Sequence, residues 1–185
     1  MNYLVLVNKN NLIKDNYYDN IQFVDTKDVL NEDVKVEKTT YEAYLKLKEY
    51  LESINIYIGI DSAYRSIEEQ QEIWDEFTIK YGSEYTHTFV ALPKTSEHHT
   101  GLVIDLSIKV DGKYLVDNKD LFANEEIYKK IHPHLYKFGF ILRYPKGKEN
   151  ITGYGYEPWH IRYVGVKAAS KIYNNNLVLE EYLMR

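Results

Sequence analysis

The stretch TSEHHTGLVIDLSIKVDG, Thr95 to Gly112, sets two histidines and a glycine ahead of an apolar run that is interrupted by one carboxylate. Leu102 to Val110 reads as a strand, Asp111-Gly112 as a hairpin turn, and Lys113 to Val116 as the returning partner. Alternation along that strand puts Leu102, Ile104 and Leu106 on one face and Val103, Asp105 and Ser107 on the other. An unpaired carboxylate on a buried strand costs several kcal/mol, so Asp105 must meet a salt bridge, a hydrogen-bond network or a metal.

Outward from this strand, helix and strand signals alternate irregularly. Leu4 to Val7 is expected as a strand and the polar stretch after it as a loop. Thr40 to Ser53 carries Tyr41, Tyr44, Leu45 and Leu51 at helical spacing. Asn55 to Ile60, rich in β-branched residues, is expected as a strand that runs into Asp61-Ser62-Ala63-Tyr64-Arg65. Ser66-Ile67-Glu68-Glu69 has the S-x-x-E form of a capping box, which opens a helix continuing toward Gly82 and leaves Arg65 at a strand-to-helix junction. Asn124 is expected to cap a helix bearing Ile127, Ile131, Leu135 and Phe138, with Pro133 inside it. Phe140 to Tyr144 and Trp159 to Val164 read as strands, and the chain from Val166 as helical. The pattern specifies an α+β fold with a central, mainly antiparallel sheet and helices packed around it.

The chain has 185 residues, a formal net charge of -5 and no cysteine. That length fits a single domain, residues 1–185, able to bury a core without staples. The acidic balance argues against a nucleic-acid surface. The absence of cysteine removes disulfides, thiolate metal sites and cysteine nucleophiles together. The start, MNYLVLVNKN, lacks a secretory pattern, and no stretch approaches a membrane span. The expectation from these features is a cytoplasmic chain, or an extracytoplasmic one if a leader or anchor has been removed, with no obligate protein partner evident.

Zinc takes imidazole nitrogen and carboxylate oxygen, and a catalytic site needs three protein ligands with one position open. Asp105 with a histidine from the preceding loop supplies two, and Gly101 could turn that loop back over the strand end. Spacing leaves His98 and His99 as equal competitors. Glu157-Pro158-Trp159-His160 offers the third ligand, His160, and a glutamate three residues earlier that can lie beside a metal as a general base. His87, His132 and His134 read as ordinary surface or core histidines. Every serine fails the S-x-x-K pattern, and G-x-S-x-G, H-E-x-x-H, the P-loop and G-x-G-x-x-G are absent.

Taken together, Ser62-x-Tyr64-Arg65, Ser96-x-His98-x-x-Gly101-x-Val103-x-Asp105 and Glu157-x-Trp159-His160 resemble the zinc D,D-carboxypeptidases of the VanY and VanXY type, the vancomycin-resistance peptidases related to L,D-carboxypeptidases. Leu6 to Asn10, Phe89 to Pro93 and Gly139 to Pro145 also look like that family. The resemblance implies a zinc D,D-peptidase (hedgehog-like) fold and hydrolysis of the terminal D-Ala-D-Ala bond of peptidoglycan precursors by metal-activated water, with D,D-dipeptidase activity as a companion. It makes His98, Asp105 and His160 the Zn2+ ligands, Glu157 the catalytic base and Arg65 the oxyanion stabiliser. Gln70, Ser96 and Tyr144 become substrate contacts, and D-Ala-D-Ala-terminated peptides the binding partners. Ala63 stands where the family usually has glycine, and Val103 where it has alanine; both bear on substrate fit more than on metal binding. The alternatives are an L,D-carboxypeptidase acting on tetrapeptides and a non-catalytic, zinc-stabilised peptidoglycan-binding module.

Overall fold

The computed structural model describes residues 2–184, with the backbone alone at Asn20, Thr88 and Phe89. Its elements in chain order are β1 (Phe23–Lys27), β2 (Asp33–Glu37), α1 (Lys38–Ser53), β3 (Ile58–Ser62), α2 (Ile67–Tyr81), α3 (Ser83–Phe89), β4 (Val103–Val110) and β5 (Lys113–Tyr114). They continue with α4 (Asn118–Ala123), α5 (Glu125–Leu135), β6 (Phe140–Leu142), α6 (Glu149–Thr152), β7 (His160–Tyr163), α7 (Val166–Asn174) and α8 (Leu179–Leu183). The central sheet runs β3-β4-β7-β6, antiparallel at every joint, and β5 turns back onto β4. Asp111 and Gly112 both take positive φ, the conformation a tight primed hairpin turn requires. Strands β1 and β2 form a separate two-stranded ribbon.

The two faces of the sheet have different chemistry. Ile58, Ile60, Ile104, Leu106, Ile108, Phe140 and Ile161 share one buried cluster with Ala43, Tyr44, Leu47 and Leu51 of α1 and Tyr128, Ile131 and Leu135 of α5. Each fully buried aliphatic or aromatic side chain of this kind contributes about 1.5–3 kcal/mol, which makes this face the main source of stability. The opposite face carries Val103 opposite Arg162 and Asp105 opposite His160 across the β4–β7 joint, and Ile141 opposite Arg162 across β6–β7. The polar site is thus built on the back of a sheet whose front is anchored by packing.

Several boundaries differ from expectation. Residues 4–7 form no strand; the carbonyls of Tyr3 and Val5 instead accept hydrogen bonds from Arg162 Nη2 at 3.1 and 2.8 Å. The strand expected from Asn55 starts at Ile58 and ends at Ser62, with a register shift between Ile60 and Ser62. Asn124 does not cap α5 with its side chain; its Nδ2 donates to the Asp120 carbonyl and so closes α4, a helix with no sequence counterpart. The β1–β2 ribbon also emerges from what reads as loop. The capping box of Ser66 and Glu69 is formed in both directions, and Gly82 ends α2 with φ of 86°. Among the described residues, no helix is long and apolar enough to cross a membrane.

Candidate active site

The site begins with a tight turn. Ser96 Oγ accepts from His98 N–H at 3.3 Å and Thr100 Oγ1 donates to the Glu97 carbonyl at 2.6 Å, winding residues 97–100 into one short helical turn. Gly101 leaves that turn with φ of 69°, and a Cβ there would lie 2.7 Å from Phe23 Cε1, so only glycine fits on both counts. The chain then enters β4 at Val103, and two residues further Asp105 meets His98 of the turn.

Asp105 and His160 are direct cross-strand partners on β4 and β7, and His98 reaches the same point from the turn. His98 Nε2 lies 3.2 Å from Asp105 Oδ2, His160 Nδ1 lies 3.1 Å from Asp105 Oδ1, and one ligand atom from each residue falls within 4.8 Å of the others. His98 Nδ1 donates to the Ala63 carbonyl at 2.5 Å, which fixes the tautomer and leaves Nε2 bare. Burial and the Arg65 charge lower the His98 pKa. Burial alone would raise Asp105, but the His98 and His160 imidazoles hold it well below the usual carboxylate range. His160 is opposed by burial, yet Asp105 and Glu97 raise it to about 9, a measure of how strongly these carboxylates ask for a positive charge between them.

His99 is oriented away from this cluster. Its Nδ1 donates to the Arg65 carbonyl at 2.7 Å and its Nε2 accepts from Lys94 N–H at 3.1 Å, so both nitrogens are engaged in holding loops. His132 is bound to the Pro158 carbonyl at 2.9 Å, His87 to the Ser83 carbonyl at 2.8 Å, and His134 to the Tyr50 hydroxyl at 3.3 Å.

Around the three clustered residues stand the other candidates. Glu157 Oε2 is 3.4 Å from His160 Nδ1, and its side chain keeps 26 % of its surface exposed. Burial and the Asp105 charge outweigh His160 and Arg65, pushing Glu157 up to about 7. Arg65 donates to Gln70 Oε1 at 2.8 Å and to Ser62 Oγ at 3.0 Å, while Gln70 Nε2 donates to the Ala91 carbonyl at 2.7 Å. Gln70 therefore braces Arg65 against the loop after α3. The Tyr144 ring packs 4.7 Å from the His160 ring and 5.0 Å from that of Tyr154.

Sequence reasoning passed over the group that holds this arrangement from behind. Glu97, with no side-chain exposure, accepts from Arg143 Nε at 2.8 Å and Arg162 Nη1 at 2.7 Å, and its Oε2 faces His160 Nε2 at 3.6 Å. Arg143 also grips Glu180 at 2.6 and 2.8 Å, and Glu180 Oε1 accepts from Asn8 Nδ2 at 3.1 Å. The signal was present: arginine inside the apolar runs Phe140-Ile141-Leu142-Arg143 and His160-Ile161-Arg162-Tyr163 requires a buried acid.

The residues fit a divalent cation. Asp105 Oδ1 is buried without a hydrogen-bond partner among the described residues although an imidazole nitrogen is 3.1 Å away, as expected where lone pairs converge on a common point. Two imidazoles and one carboxylate form a donor set suited to zinc and leave a position open. The geometry is that of a candidate metal site with a carboxylate beside it.

Comparison with known proteins places that class. Residues 33–166 match the family described as VanY: D-alanyl-D-alanine carboxypeptidase. A D-alanyl-D-alanine carboxypeptidase of Enterococcus faecalis is 45% identical over 137 residues, 69% of this chain and 48% of the relative, so the chain spans about half the length of that relative. The solved structure of a variant of the vancomycin-resistance D,D-pentapeptidase VanY in complex with Zn(II) superposes with a TM-score of 0.83 at 35% identity and 99% coverage of both chains. VanYB in complex with D-alanine-D-alanine gives a TM-score of 0.79, also at 35% identity, covering 98% of this chain and 97% of that one. The chain belongs to the VanY D-alanyl-D-alanine carboxypeptidase family.

Proposed function

We propose that the chain, as one domain over residues 1–185, is a zinc D,D-carboxypeptidase that removes D-alanine from peptides ending in D-Ala-D-Ala, the free dipeptide included. The observation that carries this reading is Glu157, a carboxylate pushed up to about 7, 3.4 Å from His160 and with a quarter of its side chain open to solvent, 26 %. A module that only bound peptide would have no use for a base there. The family relation and the D-alanine-D-alanine complex of VanYB support the substrate class.

His98 through Nε2, Asp105 and His160 through Nδ1 would hold the ion. When bound, zinc supplies Lewis acidity, polarising the scissile carbonyl and acidifying water to a pKa of about 7. Glu157 takes the proton from the attacking water onto a carboxylate oxygen, and a group that titrates near neutrality does this without a large penalty. It then delivers that proton to the departing amine nitrogen of D-alanine as the C–N bond breaks. Arg65, locked by Gln70 and Ser62, presents a fixed positive charge to the oxygen on which negative charge develops. Tyr144 walls the His160 side, and Ser96 and Gln70 stand at the substrate's C-terminal end.

The test is to incubate the zinc-loaded chain with D-Ala-D-Ala, a UDP-muramyl pentapeptide and the corresponding tetrapeptide, and follow products by mass spectrometry. Release of D-alanine from the dipeptide and pentapeptide is expected. Release from the tetrapeptide alone would assign L,D-carboxypeptidase activity, and no release from any would remove the enzyme reading.

A further inference from the structure

The two clustered histidines turn different nitrogens toward Asp105, Nε2 from His98 and Nδ1 from His160. A neutral imidazole carries one proton and one ring lone pair, so each ring can take a cation only if its proton is held on the far nitrogen. For His98 the Ala63 carbonyl does this by accepting from Nδ1. His160 Nε2 has no such carbonyl. It is buried without a hydrogen-bond partner among the described residues, and so is Glu97 Oε2, which faces it at 3.6 Å. A ring N–H and a carboxylate oxygen are complementary, and each leaves the other's need unmet only by a few tenths of an ångström.

In front of the ring the pull runs the other way. His160 Nδ1 lies 3.1 Å from Asp105 Oδ1 and 3.4 Å from Glu157 Oε2, and either carboxylate would accept a proton placed there. That tautomer occupies the lone pair an ion would need. Two acceptors in front therefore compete with one behind, and the outcome depends on how firmly the one behind is fixed.

Glu97 is fixed by its neighbours. Its side chain is fully buried, and Oε1 accepts from Arg143 Nε at 2.8 Å and Arg162 Nη1 at 2.7 Å, both arginines being fully buried as well. Arg143 is gripped in turn by Glu180, and Arg162 by the carbonyls of Tyr3 and Val5. With Oε1 committed twice, Oε2 is the oxygen left to accept, and it is the one that faces His160.

We infer that Glu97 is a positioning residue for the metal: it accepts the His160 Nε2 proton and so keeps Nδ1 bare for the ion. This rests on the zinc reading above. A carboxylate that holds a ligand imidazole in this way is typically worth about 10–100-fold in metal affinity.

Glu97→Gln tests the inference atom by atom. The two arginine donors require the amide oxygen at the Oε1 position, which sets the amide NH2 opposite Nε2. A donor then faces a donor, and the proton is driven to Nδ1. The zinc dissociation constant, read by chelator competition at fixed pH on chain shown to be folded by circular dichroism, is expected to rise about 10–100-fold. Glu180→Gln is the control, since it loosens Arg143 but leaves the Glu97 carboxylate opposite Nε2. It should lower the melting temperature with little change in zinc affinity. NMR spectra of the zinc-loaded wild type with isotope-labelled histidine nitrogens decide the matter even if Glu97→Gln does not fold: the proton is expected on His160 Nε2, in slow exchange with water. Unchanged zinc affinity in Glu97→Gln, equal weakening by Glu180→Gln, or a proton on His160 Nδ1 in that spectrum overturns the inference. A wild-type chain that takes up no zinc removes the metal reading itself. Zinc uptake and D-alanine release by wild type, with unchanged affinity in Glu97→Gln, leave the peptidase standing and remove only the role of Glu97.

Discussion

Glu97 and Glu157 approach the same imidazole at its two nitrogens, Glu97 Oε2 3.6 Å from Nε2 and Glu157 Oε2 3.4 Å from Nδ1 of His160. Behind the ring, Glu97 is enclosed by two arginines; burial would raise its pKa, but Arg143 and Arg162 hold it well below the usual carboxylate range. In front, Glu157 has no arginine within ion-pair distance among the described residues, and burial pushes it up to about 7. The same side chain is therefore a permanent anion on one side and a proton carrier on the other. What separates them is the number of committed cations, not depth alone.

Four experiments would break or sharpen that contrast. Glu97→Ala should act on the whole molecule, because it leaves Arg143 and Arg162 buried without their shared acid. A loss of about 3–5 kcal/mol is expected, read by chemical denaturation. The wild-type cluster also sets an acid limit. A carboxyl whose folded pKa is depressed gives stability above its unfolded value and loses it as pH falls through the folded one, so unfolding should begin well below the ordinary carboxylate range. A Glu97→Ala chain with wild-type stability would show that the arginines do not depend on it.

Glu157→Ala should leave zinc content and the melting temperature close to wild type and lower hydrolysis by about 10²–10⁴-fold. Metal analysis alongside kinetics separates a base from a ligand: loss of zinc in this variant would move Glu157 onto the metal. Arg65→Ala should follow, lowering kcat by about 10²–10³-fold with a smaller change in KM, since its partner charge exists chiefly in the transition state. A change confined to KM would make Arg65 a ground-state carboxylate clamp.

The smallest effect concerns Asp61, half-buried on β3, which burial and the nearby Asp105 and Asp28 charges push up to about 7. A carboxyl raised in the folded state contributes stability that is fully present below its unfolded pKa and is lost as pH rises through the folded value. Metal-free wild type should therefore melt lower at about pH 8 than at about pH 5, and Asp61→Asn should narrow the gap. Equal gaps in the two proteins would remove Asp61 from the account.

Legibility from sequence followed locality. The Ser66 capping box, the β4 alternation and the Asp111-Gly112 turn are encoded by neighbours a few residues apart, and each formed where it was expected. The β1–β2 ribbon did carry a local signal that was passed over: Asp25 and Lys27, and Asp33 and Lys35, face solvent and alternate with Val24, Thr26, Val34 and Val36, but in strands of only five residues each. Leu4 to Val7 looked like a strand because it is apolar; its backbone carbonyls are claimed by an arginine side chain from β7, which no local pattern reveals. The same holds at the site. His98, Asp105, Glu157 and His160 sit in short motifs, whereas Glu97, Arg143, Arg162 and Glu180 define one another only in three dimensions.

The ion cluster also ties together remote parts of the chain: Arg162 to Tyr3 spans 159 residues, and Glu180 to Asn8 spans 172. Closing loops of that size is entropically costly and follows the formation of local contacts, so the support behind His160 belongs to the last stage of folding. During synthesis, β4 and the His98 turn emerge long before α8. A partly made chain thus carries His98 and Asp105 before the frame behind His160 can form, and Arg143 meets Glu180 only once α8 has docked.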